Sequence, residues 1–209
     1  MAKYTDLDEA FRHAGDVTEM DLRYKARTAL PPEIGQLKNL TSLDLTLSRL
    51  TTLPPEIGQL KNLTSLNLSG NKMKPLPAVL WQVTQLTSLD LGGNELTTLP
   101  PEIGQLKNLT VLRIQSSQLP PEIGQLTNLT ELDLRGTALT TLPPEIGQLK
   151  NLTYLNLSYS KLIALPVEIK RLTKLKELDL HCTPYLDEEL AIELANLRKG
   201  LHIRLSNSD

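Results

Sequence analysis

One seven-residue phrase, Pro-Pro-Glu-Ile-Gly-Gln-Leu, constrains the fold of this 209-residue chain more than any other feature. It occurs unchanged five times, beginning at Pro31, Pro54, Pro100, Pro120 and Pro143. The starts are separated by 23, 46, 20 and 23 residues, and 46 is twice 23. A fixed period of roughly 20 to 50 residues is typical of proteins in which each repeat stacks on its neighbours. The sequence therefore predicts a stack of repeats.

Each copy of the phrase is followed by a Leu-x-x-Leu-x-Leu frame, such as Leu63, Leu66 and Leu68. The alternation of apolar and polar residues predicts a short strand with one buried face. Pro-Pro cannot continue a strand ladder, and Glu-Ile-Gly-Gln-Leu predicts a single helical turn with Ile and Leu facing inward. The frames begin at Val17, Leu40, Leu63, Leu86, Leu109, Leu129, Leu152 and Leu175.

The two ends of the chain depart from the repeat. Asp6–Ala14 has apolar residues at helical spacing, so residues 1–16 are predicted to form an N-terminal helical cap. Asp187–Lys199 predicts a longer helix followed by a last strand, which together form a C-terminal cap over residues 184–209. Caps protect the end repeats from water. We therefore expect one complete domain over residues 1–209, with the repeats in 17–183.

The frame at Leu63–Leu76, with Asn71 three residues after its third leucine, resembles the leucine-rich repeat family, as does the Leu-Pro-x-x-Ile-Gly-x-Leu phrase. The resemblance covers Val17–Leu205 and is greatest to bacterial cytosolic repeats and to the Ras-group-related intracellular repeats of plants and animals. It implies an α/β leucine-rich repeat solenoid. In such a fold, a curved parallel sheet of about nine strands lines the concave face, short helical turns form the convex face, and helical caps close both ends. The resemblance also implies that proteins bind on the concave face.

The asparagine position of that family is only partly kept. Asn71 and Asn94 fill it in two repeats, and hydroxyl residues fill it elsewhere. The hydroxyl residues are Ser48, Ser117, Thr137, Ser160 and Thr183. Because a hydroxyl can still bond the loop backbone, we expect a looser hydrogen-bonded ladder and not a lost one.

Composition and charge exclude several functional classes. The net charge is −2 and no basic block occurs, which argues against nucleic-acid binding. The chain has one cysteine, Cys182, so no internal disulfide is possible, and this fits a reducing compartment. No apolar run reaches the length of a membrane span, and the charged N-terminus does not resemble a signal peptide. We expect a cytoplasmic protein that contacts no membrane.

Motifs for catalysis are absent from the sequence. It contains no phosphate loop, nucleophile elbow or paired-cysteine metal motif. His181 and Cys182 are adjacent, but neighbouring strand residues point to opposite sides, so they do not predict a metal site. We expect no enzyme, no catalytic residue, no metal and no cofactor.

Functional residues should lie where near-identical repeats differ. The solvent-facing strand positions are small and polar in the middle repeats but become large and charged from Val111 onward. Arg and Tyr are enriched at interface hot spots, which favours a partner-binding patch. The predicted patch comprises Arg113, Gln115, Glu131, Asp133, Arg135, Tyr154, Tyr159, Glu177 and His181. The alternative is a solvated face on which Arg113 only neutralises Asp90 and Asp133.

Two irregular repeats leave further alternatives open. The 20-residue repeat, Pro100–Leu119, lacks three residues after Gln118 and must lose one core position. The deletion is either harmless or a local break in curvature that shapes the site. Trp81 replaces the glycine of the phrase, either as a repacked core residue or as a second contact site on the convex side.

The leading prediction is a monomeric, non-enzymatic module that binds a protein partner on its concave face. One alternative is a regulatory scaffold that recognises a small GTPase, as the Ras-group resemblance implies. Another is an engineered or consensus-like binder framework, suggested by the near identity of the repeats.

Overall fold

A computed structural model describes residues 2–205, and the chain divides into two compact units, Met1–Glu95 and Leu96–Asp209. We call them unit 1 and unit 2. In both, short parallel strands alternate with single helical turns, as the repeat predicts.

The strands of unit 1 pair in chain order, and every pairing is parallel. Their register places equivalent residues side by side, so that Leu43 pairs with Leu66 and Leu66 with Leu89. One α-helix, Leu7–Arg12 (α1), connects the first two strands. The strands are Ala2–Tyr4 (β1), Val17–Asp21 (β2), Ser42–Asp44 (β3), Ser65–Asn67 (β4) and Ser88–Asp90 (β5).

Unit 2 repeats this arrangement with five further parallel strands, again paired in chain order. A second α-helix, Glu189–Leu197 (α2), precedes the last of them. The strands are Val111–Arg113 (β6), Glu131–Asp133 (β7), Tyr154–Asn156 (β8), Glu177–Leu180 (β9) and His202–Leu205 (β10).

The helical turns between the strands are 3-10 helices of five residues. In five of them the second proline of the phrase stands at the first position, where a missing N–H costs nothing. The glycine allows a close approach, since a Cβ at Gly147 would lie 2.6 Å from the carbonyl oxygen of Glu168. The turns are Pro32–Gln36, Pro55–Gln59, Ala78–Gln82, Pro101–Gln105, Pro121–Gln125, Pro144–Gln148 and Val167–Arg171.

The core is almost entirely aliphatic, because each strand and each turn faces leucine and isoleucine inward. Leu66 and Leu89 of the strands and Ile57 and Ile146 of the turns are fully buried. Trp81 is only 5% exposed, which favours its interpretation as a core residue over that of a contact site.

The predicted α/β repeat fold is confirmed, with differences at its ends. The described residues contain ten strands instead of about nine, because Ala2–Tyr4 also pairs with β2. The predicted helix Asp6–Ala14 is shorter, at Leu7–Arg12, and Asp6 caps it by accepting a hydrogen bond from the Glu9 amide. No helix in the described part of the chain is long and apolar enough to cross a membrane.

Candidate functional site

The nine residues predicted to bind a partner all lie in unit 2, on the solvent side of its strands or in the turns that follow them. We call this set the strand-face patch. The strand residues of this patch face solvent because successive residues of a strand point to opposite sides of the sheet, and the residues between them are fully buried. Those buried residues are Leu112, Leu132 and Leu155.

Four residues of the patch surround one shallow depression. Arg113, Glu131, Asp133 and Tyr154 line an open concavity of about 330 Å³, together with Val111 and Leu112. The parallel register places Val111, Glu131 and Tyr154 next to one another on three strands. Arg113 Nη2 lies 3.8 Å from Glu131 Oε2, and both side chains remain about half exposed. The ion pair of Arg113 within 4 Å is thus with Glu131, whereas the solvated-face interpretation paired Arg113 with Asp90 and Asp133.

Tyr154 forms one wall of this depression and has a fixed hydroxyl. Asn156 Nδ2 donates to Tyr154 Oη at 3.1 Å, and Asn156 Oδ1 accepts from the Ser158 amide at 2.9 Å. Burial raises the pKa of Tyr154 above its usual value, and the nearby Asp133 carboxylate adds to the effect. The phenol therefore stays protonated and can donate a hydrogen bond to an incoming group.

A second cluster forms around Tyr159, which is 50% exposed. The guanidinium carbon of Arg135 lies 5.2 Å from the centroid of the Tyr159 ring. On the same ring, His181 packs edge to face with centroids 5.6 Å apart. Cation–π and edge-to-face contacts of this kind hold an aromatic ring in one orientation. The solvent-exposed ring of Tyr159 is therefore ordered before any partner arrives.

The backbone of Tyr159 is in the left-handed region, with φ of 56°. The equivalent position is left-handed in other repeats too, where it is held by glycine at Gly70 (φ 66°) and Gly136 (φ 69°) but by a residue with a side chain at Tyr24 (φ 60°), Leu47 (φ 54°) and Cys182 (φ 54°). A bulky side chain in this region costs roughly 1–2 kcal/mol, and such strain gathers at functional sites. What distinguishes Tyr159 from the likewise exposed Tyr24 and Leu47 at this position is the packing of Arg135 and His181 against its ring.

The remaining patch residues connect to these clusters in different ways. Gln115 Nε2 donates to the carbonyl oxygen of Arg135 at 3.1 Å. Glu177 pairs beside Tyr154 in the sheet, but its carboxylate lies 3.5 Å from Arg204 Nη2 on β10. The sequence analysis did not single out Arg204, although its place two residues after His202 on a strand puts both on the same face.

The asparagine positions inside the turns behave as predicted only in part. Asn71 Nδ2 donates to the carbonyls of Leu45 and Leu68 at 2.8 Å each, and Asn71 Oδ1 accepts from the Leu50 amide at 2.8 Å. Asn94 repeats this pattern. The hydroxyl of Ser48 donates to the carbonyl of Leu22 at 2.9 Å, so the looser ladder is confirmed there.

The ladder prediction is wrong at two other hydroxyl positions. Thr137 Oγ1 and Ser160 Oγ are buried without a hydrogen-bond partner, whereas Ser48 Oγ and Thr183 Oγ1 donate to the carbonyls of Leu22 and Leu180. In the 20-residue repeat, Ser116 is the buried residue and Ser117 is half-exposed, with its hydroxyl on the Thr97 carbonyl. In the shortened repeat, every residue of which is described, no residue after the strand takes the left-handed conformation of Tyr159 and Gly136. The residues of this turn are therefore displaced by one position relative to those of the other repeats.

The deletion in that repeat leaves a depression on the surface of unit 2. Leu119 stands where other repeats place two buried apolar residues, and it is only half-buried. An open concavity of about 550 Å³ lies beside it, lined by Leu119, Pro121, Leu142 and their neighbours. The deletion therefore leaves a notch in the surface of unit 2 where other repeats have a core residue. The residues that line this notch are all different from those that line the depression of the strand-face patch.

Unit 1 contains a charged cluster that the sequence analysis missed. Arg23 Nε and Nη2 donate to the two carboxylate oxygens of Asp21 at 2.8 and 2.7 Å, and Lys3 Nζ lies 3.1 Å from the same carboxylate. The bond from Arg23 holds the pKa of Asp21 far below its usual range. The sequence feature that could have predicted this cluster is an acidic and a basic residue two positions apart, since such residues lie on the same face of a strand. These groups satisfy one another and leave little for a partner.

Two further ladders run along the edge where the strands begin. Thr41 Oγ1 donates to the carbonyl of Thr18, and Asn62 Nδ2 donates to the carbonyl of Lys38, both at 2.9 Å. Equivalent bonds recur from Thr64, Thr87, Thr130, Thr153, Asn39, Asn128 and Asn151. Within each unit, the polar residues of the Asn-Leu-Thr triplets therefore tie successive repeats together.

Within residues 2–205, no group of three or more His, Cys, Asp or Glu side chains is placed to hold a metal ion. The strand-face patch offers ordered aromatic rings, mixed charges and a shallow depression, which are the means of binding a surface.

Comparison with known families gives the class. A family model described as a leucine-rich repeat region matches residues 19–117 and 113–209. The chain belongs to the leucine-rich repeat family. This family is generally a non-enzymatic fold for protein–protein interaction. A search of curated proteins finds no match.

Several solved structures share the fold. A leucine-rich repeat protein of Leptospira interrogans is 29% identical over 100% of this chain and 72% of its own, with a TM-score of 0.54. The plant peptide hormone receptor RGFR1 in complex with RGF2 is 28% identical over 86% of this chain, with a TM-score of 0.65, and the match spans 31% of the receptor. Internalin C2 of Listeria monocytogenes is 24% identical over 86% of this chain and 76% of its own, with a TM-score of 0.72.

Proposed function

We propose that this chain is a binding module that holds a protein partner against the strand-face patch of unit 2, on the predicted concave side of its sheet. The observation that carries the proposal is Tyr159, an exposed ring held between Arg135 and His181 on a strained backbone. Ordered aromatic residues lose little entropy on binding, so they serve well as anchors.

The charges of the patch indicate the chemistry of the partner. Arg113 and Arg135 present planar guanidinium groups, and both carboxylates, Glu131 and Asp133, lie on β7, next to the strand of Arg113 and just before the turn of Arg135. A matching surface has an acidic group opposite each arginine and a basic group opposite the carboxylates. The depression beside Tyr154 accepts one protruding side chain of that surface.

The relatives support a polypeptide as the ligand. The receptor RGFR1 was solved in complex with RGF2, and another leucine-rich repeat structure is the pair PEPR1–AtPEP1, which is 28% identical over 76% of this chain. We infer that binding proceeds without chemical conversion of the ligand, and that the protein acts as a cytoplasmic monomer.

A small GTPase is the particular partner that the Ras-group resemblance predicts. Such a partner is tested by immobilising the chain and offering purified small GTPases of the source organism in their GDP and GTP-analogue states. Retention of one GTPase that depends on its nucleotide supports the scaffold alternative, and equal retention of all of them contradicts it.

The general proposal is tested with Tyr159→Gly. Glycine is native at the equivalent Gly136, so this variant removes the ring and relieves backbone strain at once. A partner captured from source lysate is purified and titrated against both forms by calorimetry. We expect Tyr159→Gly and Arg135→Ala to weaken binding about tenfold or more, since exposed hot-spot side chains contribute about 2 kcal/mol.

The controls are Ser65→Ala and Ser88→Ala in unit 1, at the strand position that Tyr154 occupies in unit 2. These should leave the affinity unchanged. A partner that binds Tyr159→Gly as tightly as the wild type, or that is lost only through the unit 1 controls, contradicts the proposal.

A further inference from the structure

Four cations converge at the strand-start edge of unit 2, away from the strand-face patch. Lys174 and Lys176 lie just before β9, and Arg198 and Lys199 follow α2. They line an open concavity of about 620 Å³, whose other walls are formed by Thr153, Thr173, Leu175, Gly200 and Leu201. We call these four cations the basic corner.

The two lysines replace residues of the edge ladders. In the preceding repeat the equivalent positions are Asn151 and Thr153, whose side chains bond the repeat before them. Lys174 Nζ instead donates to Asn151 Oδ1 at 2.7 Å. Both ladders thus change to lysine in the same repeat, and both changes add positive charge to the same concavity.

Ordinary stabilisation of helix ends and edge strands explains the presence of only two of these four cations. Arg198 and Lys199 stand at the C-terminal end of α2, where cations offset the helix dipole. Lysine is also common on exposed edge strands, where it prevents unwanted pairing. Lys176 is not on such an edge, because the His202 amide donates to its carbonyl oxygen at 2.8 Å and β10 covers β9.

The charge of the basic corner is not neutralised within the described chain. Across residues 2–205, every ion pair within 4 Å involves other cations than these four. Arg198 donates through Nη1 and Nη2 to the carbonyls of Leu172 and Lys170, which fixes its position but leaves its charge. Cations that line one concavity repel one another, so an anion bound there would stabilise the fold.

We propose that the basic corner binds an acidic peptide segment of a protein partner, as a second contact site separate from the strand-face patch. The cations come from two separate segments and surround an opening wider than one small anion requires. The guanidinium fork of Arg198 is occupied by backbone carbonyls, so recognition relies on dispersed point charges instead of one bidentate contact. Several carboxylates along a peptide fit that distribution.

The probe for this site is a fluorescently labelled hexaglutamate peptide, with hexaglutamine as the neutral control, followed by anisotropy. The test variant is the pair Lys174→Asn and Lys176→Thr, which restores the residues of the preceding repeat and so preserves the fold. We expect the wild type to bind hexaglutamate only, and to lose most of that binding between about 50 and 300 mM salt. The double variant should bind about tenfold more weakly.

Three controls make the outcome decisive. Lys107→Gln removes a lysine elsewhere in unit 2, and Tyr159→Gly disables the strand-face patch; neither should affect hexaglutamate binding. At low salt, the double variant should melt at a higher temperature than the wild type, because it removes the repulsion. Equal binding of hexaglutamate by the wild type and the double variant overturns the proposal, as does displacement of the peptide by low millimolar inorganic phosphate, which would assign the site to a phosphate group.

Discussion

Asn71 in unit 1 and Ser160 in unit 2 occupy the same position of the repeat, yet only Asn71 is hydrogen-bonded. Asn71 joins the backbone of three residues, whereas the hydroxyl of Ser160 is buried without a partner. A buried polar group without a partner costs free energy, so the turns of unit 1 are better satisfied than those of unit 2. Stability alone would have favoured asparagine in both.

The strand faces of the two units also differ in how far their large and charged side chains are bonded to one another. In unit 1, Arg23 and Asp21 bind each other through two hydrogen bonds, and the strand positions of β4 and β5 are small and polar. In unit 2, Arg135 and Tyr159 are ordered but remain exposed. This contrast is the basis for placing the proposed partner contact in unit 2, although Tyr24 and Leu47 of unit 1 are exposed as well.

The largest expected effect concerns the leucine layers. Leu89→Ala in unit 1 should lower the free energy of unfolding by about 2–5 kcal/mol, because Leu89 is fully buried and pairs with Leu66 of the preceding repeat. Leu119→Ala in the shortened repeat of unit 2 should cost less than about 1.5 kcal/mol, because Leu119 is already half-exposed beside the notch. Urea unfolding followed by circular dichroism measures both, and equal losses would contradict the assignment of the notch.

The hydrogen-bonded turns give the next largest difference. Asn71→Ala removes three bonds to buried backbone groups and should cost about 3 kcal/mol, at about 1 kcal/mol for each bond. Ser160→Ala removes a hydroxyl that has no partner and should change stability by less than about 0.5 kcal/mol. The same urea titration decides, and a large loss from Ser160→Ala would show that its hydroxyl is bonded in solution.

The smallest effect is the pH dependence of the Asp21–Arg23 pair. The folded pKa of Asp21 is lowered, so its contribution to stability is present above the unfolded value near about 3.9 and is lost as pH falls through the folded value. At pH 7, Asp21→Asn should therefore cost about 1 kcal/mol, a modest amount because Arg23 is half-exposed. Melting temperatures of the two proteins should converge below about pH 4.

The control for this pair is Arg23→Gln, which removes the cation that lowers the pKa. In that background the further change Asp21→Asn should have little effect at pH 7. A full Asp21→Asn penalty that persists without Arg23 would assign the stabilisation to another contact, such as that with Lys3.

Much of the fold follows from the period of the sequence, because each repeat contains a complete strand and turn. Ala2–Tyr4 was missed because three residues without apolar alternation form a strand only when β2 is present to pair with them. Ser117 was placed at the buried position by counting residues, but a deletion changes the backbone path, and Ser116 takes that place instead. Counting along a chain fails where one repeat differs in length.

The residue types of the candidate site could be predicted from the sequence, but their arrangement in space could not. The columns of strand residues indicated Arg135, Tyr154 and Tyr159 from their contrast with serine and glycine in other repeats. The left-handed backbone of Tyr159 and the packing of His181 against its ring could not be predicted, because they depend on the three-dimensional path of the chain. Partner binding at these residues stays a prediction.

The threonine and asparagine ladders have a direction, which matters for how the protein is made. Thr41, Asn62 and Thr153 each donate to a carbonyl about one repeat earlier in the chain. During synthesis the acceptor therefore leaves the ribosome before the donor, and each new repeat finds a finished neighbour to dock on. We expect assembly to proceed vectorially within each unit, so that an incomplete chain exposes only its most recently made repeat.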